Sequence, residues 1–161
     1  MLLGHEGIRY KMKNKKKILI IFALLTIALI FFIISSPQKN NDNTVCFEGS
    51  CIEVELATTP EEMTIGLMNR TSLPENMGML FIFNEEGVHK LWMKKTLIPL
   101  DMIWLDENGK IIYFERNAQP CYVPTCSAFG PESGSKYELE VNAGYIERHK
   151  INVGDKARIN I

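Results

Sequence analysis

Histidine is scarce in this chain, and the short catalytic signatures that often rely on it are missing. Only His5, His89 and His149 occur among 161 residues, scattered too widely to mark a metal site or an acid–base pair. There is no His-Glu-x-x-His, Gly-x-Ser-x-Gly, Gly-x-Gly-x-x-Gly, Walker-type or EF-hand loop. Nothing therefore points to a zinc protease, a serine hydrolase, a dinucleotide or nucleotide enzyme, or a calcium switch. Internal repeats are absent, and strands do not alternate with helices as a doubly wound sheet requires. A basic excess is also lacking. Beyond residue 17 there are 12 Lys/Arg against 18 Asp/Glu, a net charge of about −6 with histidines neutral. That composition argues against nucleic acid as a partner and against adhesion to anionic headgroups.

What is present begins with a long apolar run. Ile18 to Ile34 is 17 uncharged residues interrupted only by Thr26, after Lys11, Lys13, Lys15, Lys16 and Lys17. Seventeen residues is the lower limit for crossing roughly 30 Å of hydrocarbon. A cleaved signal peptide is the alternative, but its apolar region is typically about 7–15 residues and ends in small residues. Here Ser35-Ser36 abuts Pro37, and no cysteine follows for lipid attachment. The expectation is an uncleaved, single transmembrane helix over residues 18–34, with a basic cytoplasmic tail at 1–17. A flexible tether at 35–44 would lead to an extracytoplasmic domain at 45–161. Met12, at the head of Met-Lys-Asn-Lys-Lys-Lys, is an alternative start.

All four cysteines lie beyond the run, as Cys46-Phe-Glu-Gly-Ser-Cys51 and Cys121-Tyr-Val-Pro-Thr-Cys126. On the oxidising side of a membrane an even count is read first as disulfides. Gly49 and Pro124 favour local closure within each pair. A four-thiolate zinc site with the same spacing is the alternative.

The outer domain reads mainly as short strands. Ile52, Val54 and Leu56 alternate with Glu53 and Glu55 in a half-exposed strand. Thr59-Pro60-Glu61-Glu62 opens a helix over about residues 60–68, with Thr59 and Glu62 set as a capping box. Met79–Phe83 is an apolar strand, and Val88–Met93 reads as its hairpin partner. Asp106-Glu-Asn-Gly109 turns Leu100–Leu105 back into Lys110–Arg116. Asn117–Ser135 is a long connection holding the second cysteine pair, which a disulfide would order into a binding rim. Tyr137–Val141 and Ala157–Ile161 are further strands, with a helical turn or two from Ala143 to His149. Frequent turns and few helices predict a mainly β domain, an antiparallel sandwich or barrel with one or two short helices.

The stretch Leu91–Leu105 carries one feature that burial alone does not explain. Leu100, Met102 and Trp104 fill one face of a strand, Ile103 and Leu105 the other, so both faces are covered. Asp101 shares the second face, and a buried carboxylate needs a partner. Lys94, Lys95 and Arg70 are the candidate cations.

The segments Ala57-Thr-Thr-Pro-Glu-Glu, Gly66-Leu-Met-x-Arg70, Gly78-Met-Leu-Phe-x-Phe83, Trp92-Met-Lys-x-Thr-Leu-Ile-Pro-Leu-Asp101 and Tyr137-x-Leu-Glu140 resemble the domain of unknown function 192 family over roughly Cys51–Ile159. The resemblance implies a compact, mainly β domain, often behind a signal or anchor, and no established activity. The family wording has Asn where Lys95 stands, and both cysteine pairs fall outside the family core.

Three readings of the chemistry follow. The first is a binding module in which Asp101, Arg70, Trp92, Lys94 and Thr96 line a pocket for a small polar ligand such as a carbohydrate, with no cofactor. Its bland counterpart is a structural ion pair of Asp101 with Lys94 or Arg70. The second is a hydrolase pairing Asp101 with Glu140, which requires the carboxyl groups to lie about 5–10 Å apart. The third is copper handling by Met63, Met68, Met77, Met79, Met93 and Met102, against their use as flexible core filler.

Overall fold

The computed structural model describes residues 43–161, together with scattered positions between Lys17 and Phe31 that are helical and exposed. Residues 1–40 and 41–161 form separate compact units. Most of the expected anchor, tail and tether lies outside the described residues. Among the described residues no helix is long and apolar enough to cross a membrane.

The second unit is built on one seven-stranded sheet. Its elements are β1 (Thr44–Phe47), β2 (Ser50–Ala57), α1 (Pro60–Ile65), β3 (Met77–Gly87), β4 (Leu91–Trp92), β5 (Leu100–Leu105), β6 (Ile111–Ala118), β7 (Ala128–Phe129), β8 (Ser135–Asn142), α2 (Tyr145–Arg148) and β9 (Arg158–Asn160). The strand order is β6-β5-β8-β3-β2-β1-β9, while β4 and β7 form a separate two-stranded ribbon. The sheet curls into a half-barrel. Its two ends approach at one corner, where Lys110 bridges Lys156 and Ile111 N–H donates to the Asp155 carbonyl at 2.9 Å.

Local chemistry accounts for the elements. The Thr59 hydroxyl accepts from Glu62 N–H at 3.2 Å, and the Glu62 carboxylate accepts from Thr59 N–H at 3.0 Å, completing the capping box. Helix α1 stops at Gly66, shorter than its pattern suggested, because Gly66 adopts a φ of 47°. In the β5–β6 turn, Asp106 accepts from Asn108 N–H and Lys110 N–H, and Gly109 takes a φ of 76°. Both cysteine pairs are bridged locally, Cys46–Cys51 across the β1–β2 hairpin and Cys121–Cys126 within the long connection. No cysteine of the domain is left for zinc.

One expectation is narrowed and two are corrected. Of the two expected forms the mainly β domain takes the barrel-like one, a single curled half-barrel sheet, and not the sandwich. It is not wholly antiparallel, since β2 and β3 run parallel, joined by the crossover through α1 that parallel strands require. The segment after Gly87 does not pair back on β3, because β2 and β8 occupy both edges of that strand. Instead Leu91 and Trp92 pair with Phe129 and Ala128.

Both faces of the sheet are covered. One face carries Val54, Leu80, Ile103, Leu105, Leu139 and Val141 beneath α2. The other carries Met79, Phe81, Met102 and Trp104 beneath Leu67 and Met93. Every residue of β5 is buried.

Asp101 is buried as expected, at 1 % exposure, but its partners are not cations. Its Oδ1 accepts from Asn117 N–H at 2.8 Å and its Oδ2 from Ile146 N–H at 2.9 Å. The first bond secures a bulge in β6, where the register advances three residues against two on β5 and Asn117 takes a φ of 52°. The second supplies an N-terminal cap to α2, whose own capping residue, Gly144, has no side chain to offer. Asp101 thus ties three elements together through orphan backbone donors.

The turn between β4 and β5 explains the family's preference for Asn at position 95. Lys95 is exposed and holds a φ of 59°, a left-handed conformation that Asn tolerates better than Lys. Lys95→Asn is accordingly expected to raise stability by about 0.5–1 kcal/mol. Asp101→Asn should lower it by about 2–3 kcal/mol, since an amide can accept only one of the two N–H bonds and turns a donor toward the other. Urea unfolding of both variants measures these values. An Asp101→Asn protein as stable as the parent would refute the capping role.

Candidate functional site

The second face of the sheet opens at one place into a cavity of about 450 Å³. Its walls come from α1 and the turn after it (Met63, Ile65, Met68), from β3 (Phe81, Phe83) and from the segment around β4 (His89, Trp92, Lys94). Thr96 and Ala128 complete the sides, and Glu140 of β8 reaches it from the sheet. A larger groove of about 780 Å³, around the β1–β2 hairpin and β9, is more open and holds none of the expected site residues.

The structure places Trp92, Lys94 and Thr96 around this one cavity. It sets Asp101 apart. In the antiparallel pairing of β5 with β8, Asp101 faces Val141 while Met102 faces Glu140. Neighbouring residues of a strand point to opposite sides, so Asp101 lies against α2 and Glu140 against the cavity. The two carboxyl groups of the hydrolase reading do not share a cleft. Arg70 is engaged elsewhere, in a two-pronged pair with Glu55 at 2.5 and 2.6 Å, although its charge is still felt at Glu140. Met63 and Met68 line the cavity, whereas Met79, Met93 and Met102 fill the core beneath it.

Several side chains shape the entrance. Lys94 Nζ stands 5.2 Å from the centre of the Trp92 ring, a cation–π distance. His89 stacks on Phe83 with ring centres 3.7 Å apart, and Lys90 pairs with Glu132 at 2.7 Å. The long connection after β6 reaches the cavity at Ala128. Its β7 pairs with β4, Cys121 N–H donates to the Met93 carbonyl at 3.1 Å, and the Cys121–Cys126 bridge closes the adjoining loop.

Beneath the cavity lies a feature that sequence reasoning missed. Glu138 and Glu140 sit two residues apart on β8 and so share one face. Across the sheet Glu138 stands between Phe81 and Trp104, and Glu140 between Met79 and Met102. Glu138 is fully buried, and neither of its carboxyl oxygens, nor the Trp104 Nε1–H, has a hydrogen-bond partner. Burial pushes the Glu138 carboxyl well above the usual range, and the neighbouring Glu140 adds to the shift. Burial likewise raises Glu140 to about 8, against the opposing pull of Arg70. The alternation Tyr137-Glu-Leu-Glu-Val141 suggests a solvent face for both glutamates. Their burial became visible only once the sheet was seen to be covered on both sides.

Residues 43–159 match the family model DUF192, described as Uncharacterized ACR. A crystal structure of a protein from Sinorhizobium meliloti 1021, described as a candidate transcription regulator, is 32 % identical. The match covers 73 % of this chain and 92 % of that one, with a TM-score of 0.67. A protein of unknown function from Novosphingobium aromaticivorans DSM 12444 is 31 % identical, over 71 % of this chain and 83 % of that one, with a TM-score of 0.66. No curated protein matches.

The two glutamates give stability a distinctive pH dependence. Glu140 titrates near 8 when folded, against 4.5 ordinarily, so across that window the folded chain holds a proton that the unfolded chain has released. The stabilising contribution is complete below the unfolded value and is lost as pH rises through the folded one, at up to about 1.4 kcal/mol per pH unit for each group. Urea unfolding between pH 5 and 8.5 should show this decline, and Glu140→Gln should flatten it. A parent whose stability rises steadily over that range would refute the assignment.

Proposed function

The chain belongs to the domain of unknown function 192 family, and from that premise we propose that its outer domain is a binding module for a small ligand. The site is the cleft of Trp92, Lys94, Thr96 and Glu140. The observation that supports this most directly is Glu140. A carboxyl group at the floor of an apolar cavity is costly to keep there, and unlike Asp101 it caps no helix and anchors no bulge. The half-exposed Trp92 offers an apolar wall, and Lys94 and Thr96 offer polar contacts that orient a guest. A cavity of about 450 Å³ accommodates a ligand of the size of a monosaccharide or an amino acid derivative.

The role is binding rather than catalysis. A retaining or inverting pair of carboxylates needs two groups flanking one guest; Glu138 is walled in behind Glu140, and Asp101 is on the other side of the sheet. We further propose that the 18–34 run anchors the protein in a membrane with the β domain outside. The two disulfides and the lysine-rich tail favour that placement. The acidic surface of the domain, with 11 Lys/Arg against 17 Asp/Glu from residue 43 onward, disfavours nucleic acid as its partner.

Thermal unfolding of the full chain in detergent, screened against monosaccharides, amino acids and simple amines, tests the reading. A ligand at a hundredfold excess over its Kd adds about 2.7 kcal/mol, which raises the midpoint by several degrees. Trp92→Ala and Glu140→Gln should each abolish that rise. A rise that survives in both variants, or no rise with any compound, would overturn the proposal.

A further inference from the structure

Resting on that binding reading, we infer that the guest is an organic cation: an ammonium group carried on a small apolar body, with the nitrogen directed at Glu140. The argument is one of charge and shape at the floor of the cleft. Two carboxyl groups, Glu138 and Glu140, stand on one face of β8. The cation whose field reaches Glu140, Arg70, is already forked onto Glu55. At the mouth Lys90 is paired with Glu132, and Lys94 lies over the Trp92 ring. Glu140 is the acidic group of the lining, with Lys90 and Lys94 engaged at the mouth, and behind it both oxygens of Glu138 are buried without a partner.

The walls favour an organic cation over a metal ion. Among the described residues no group of three or more His, Cys, Asp or Glu side chains could hold a metal. The lining is instead aromatic and aliphatic, including Phe81, Phe83, Trp92, Ile65 and Met63. Aromatic faces attract ammonium groups, and the Trp92 face already receives one in Lys94. Ile65, Val88 and Trp92 are exposed at 60, 55 and 46 % and lie at the cavity, so the apolar part of a guest would contact them.

Binding would also move a proton. In the empty cleft the buried carboxyl holds its proton; an entering ammonium replaces that proton as the compensating positive charge, and the proton passes to the solvent. No covalent bond forms or breaks. The charged groups that face Glu140 and set this exchange are Glu138 on the same strand, Arg70 and Glu55 from the α1 and β2 side, and His89, Lys90 and Lys94 from the segment around β4.

Isothermal titration of the full chain with benzylamine and with benzyl alcohol, its neutral analogue, tests the inference. At pH 7 the amine should bind at least tenfold more tightly. Its apparent enthalpy should change between buffers of different ionisation enthalpy, reporting proton release. Glu140→Gln, which removes the ionisable proton without changing shape, should abolish both the preference and the release. Lys94→Met, which removes the ammonium that already occupies the Trp92 face, should raise the preference for amine over alcohol severalfold. Equal binding of amine and alcohol would overturn the inference while leaving the cleft as a binding site. So would an amine that fails to bind where a neutral compound from the thermal screen does. If no compound of either kind binds, the binding reading itself falls.

Discussion

The architecture depends on one constraint: the central strands of the sheet are covered on both faces, so each charged group on them must find a partner or give up its charge. Asp101 meets the demand. Two backbone N–H groups, from Asn117 and Ile146, donate to its two oxygens, and each such bond to a charged acceptor contributes about 1.5–3 kcal/mol. Those donors would otherwise be orphans, one at a bulge and one at a helix start. The buried acid and the irregular backbone therefore satisfy each other.

Glu138 and Glu140 meet the same constraint differently. They lie on the adjacent strand but face the other way, and the guanidinium whose charge reaches Glu140 is already paired. Burial instead drives both toward the neutral acid. The contrast with Asp101 separates structure from function. A carboxylate whose oxygens cap backbone donors holds the fold together. Glu138 keeps two oxygens without a partner, and Glu140, on the same face, is the acid that the proposed guest would meet.

The cleft exists because the layer over this face is made of short pieces rather than a second sheet. Helix α1 ends after two turns at Gly66. The β4–β7 ribbon is only two residues long on each side. The turn after β4 is tied to the turn after α1 by Asn69 N–H donating to the Lys95 carbonyl at 2.8 Å. These pieces meet around Glu140 without filling the space between them, and the second disulfide closes the loop before β7.

Much of this was legible in the residues themselves. Capping box, Asp-x-Asn-Gly turn, local cysteine closure and period-two strands depend on neighbours a few positions apart, and the family motifs mark the same segments. Burial of Asp101 could be read from the oily strand around it, and Trp92, Lys94 and Thr96 line one cavity because they flank one short turn. The partners of Asp101, the parallel pairing of β2 with β3, and the burial of Glu138 and Glu140 were not legible. Each depends on which strands lie side by side and on what covers the second face. The pattern Tyr-Glu-Leu-Glu-Val describes an exposed edge and a doubly covered strand equally well. Sequence alone determined where the chain turns and which residues alternate. Only the tertiary structure decided which alternating face meets water, because burial is a property of contacts between segments far apart in the chain.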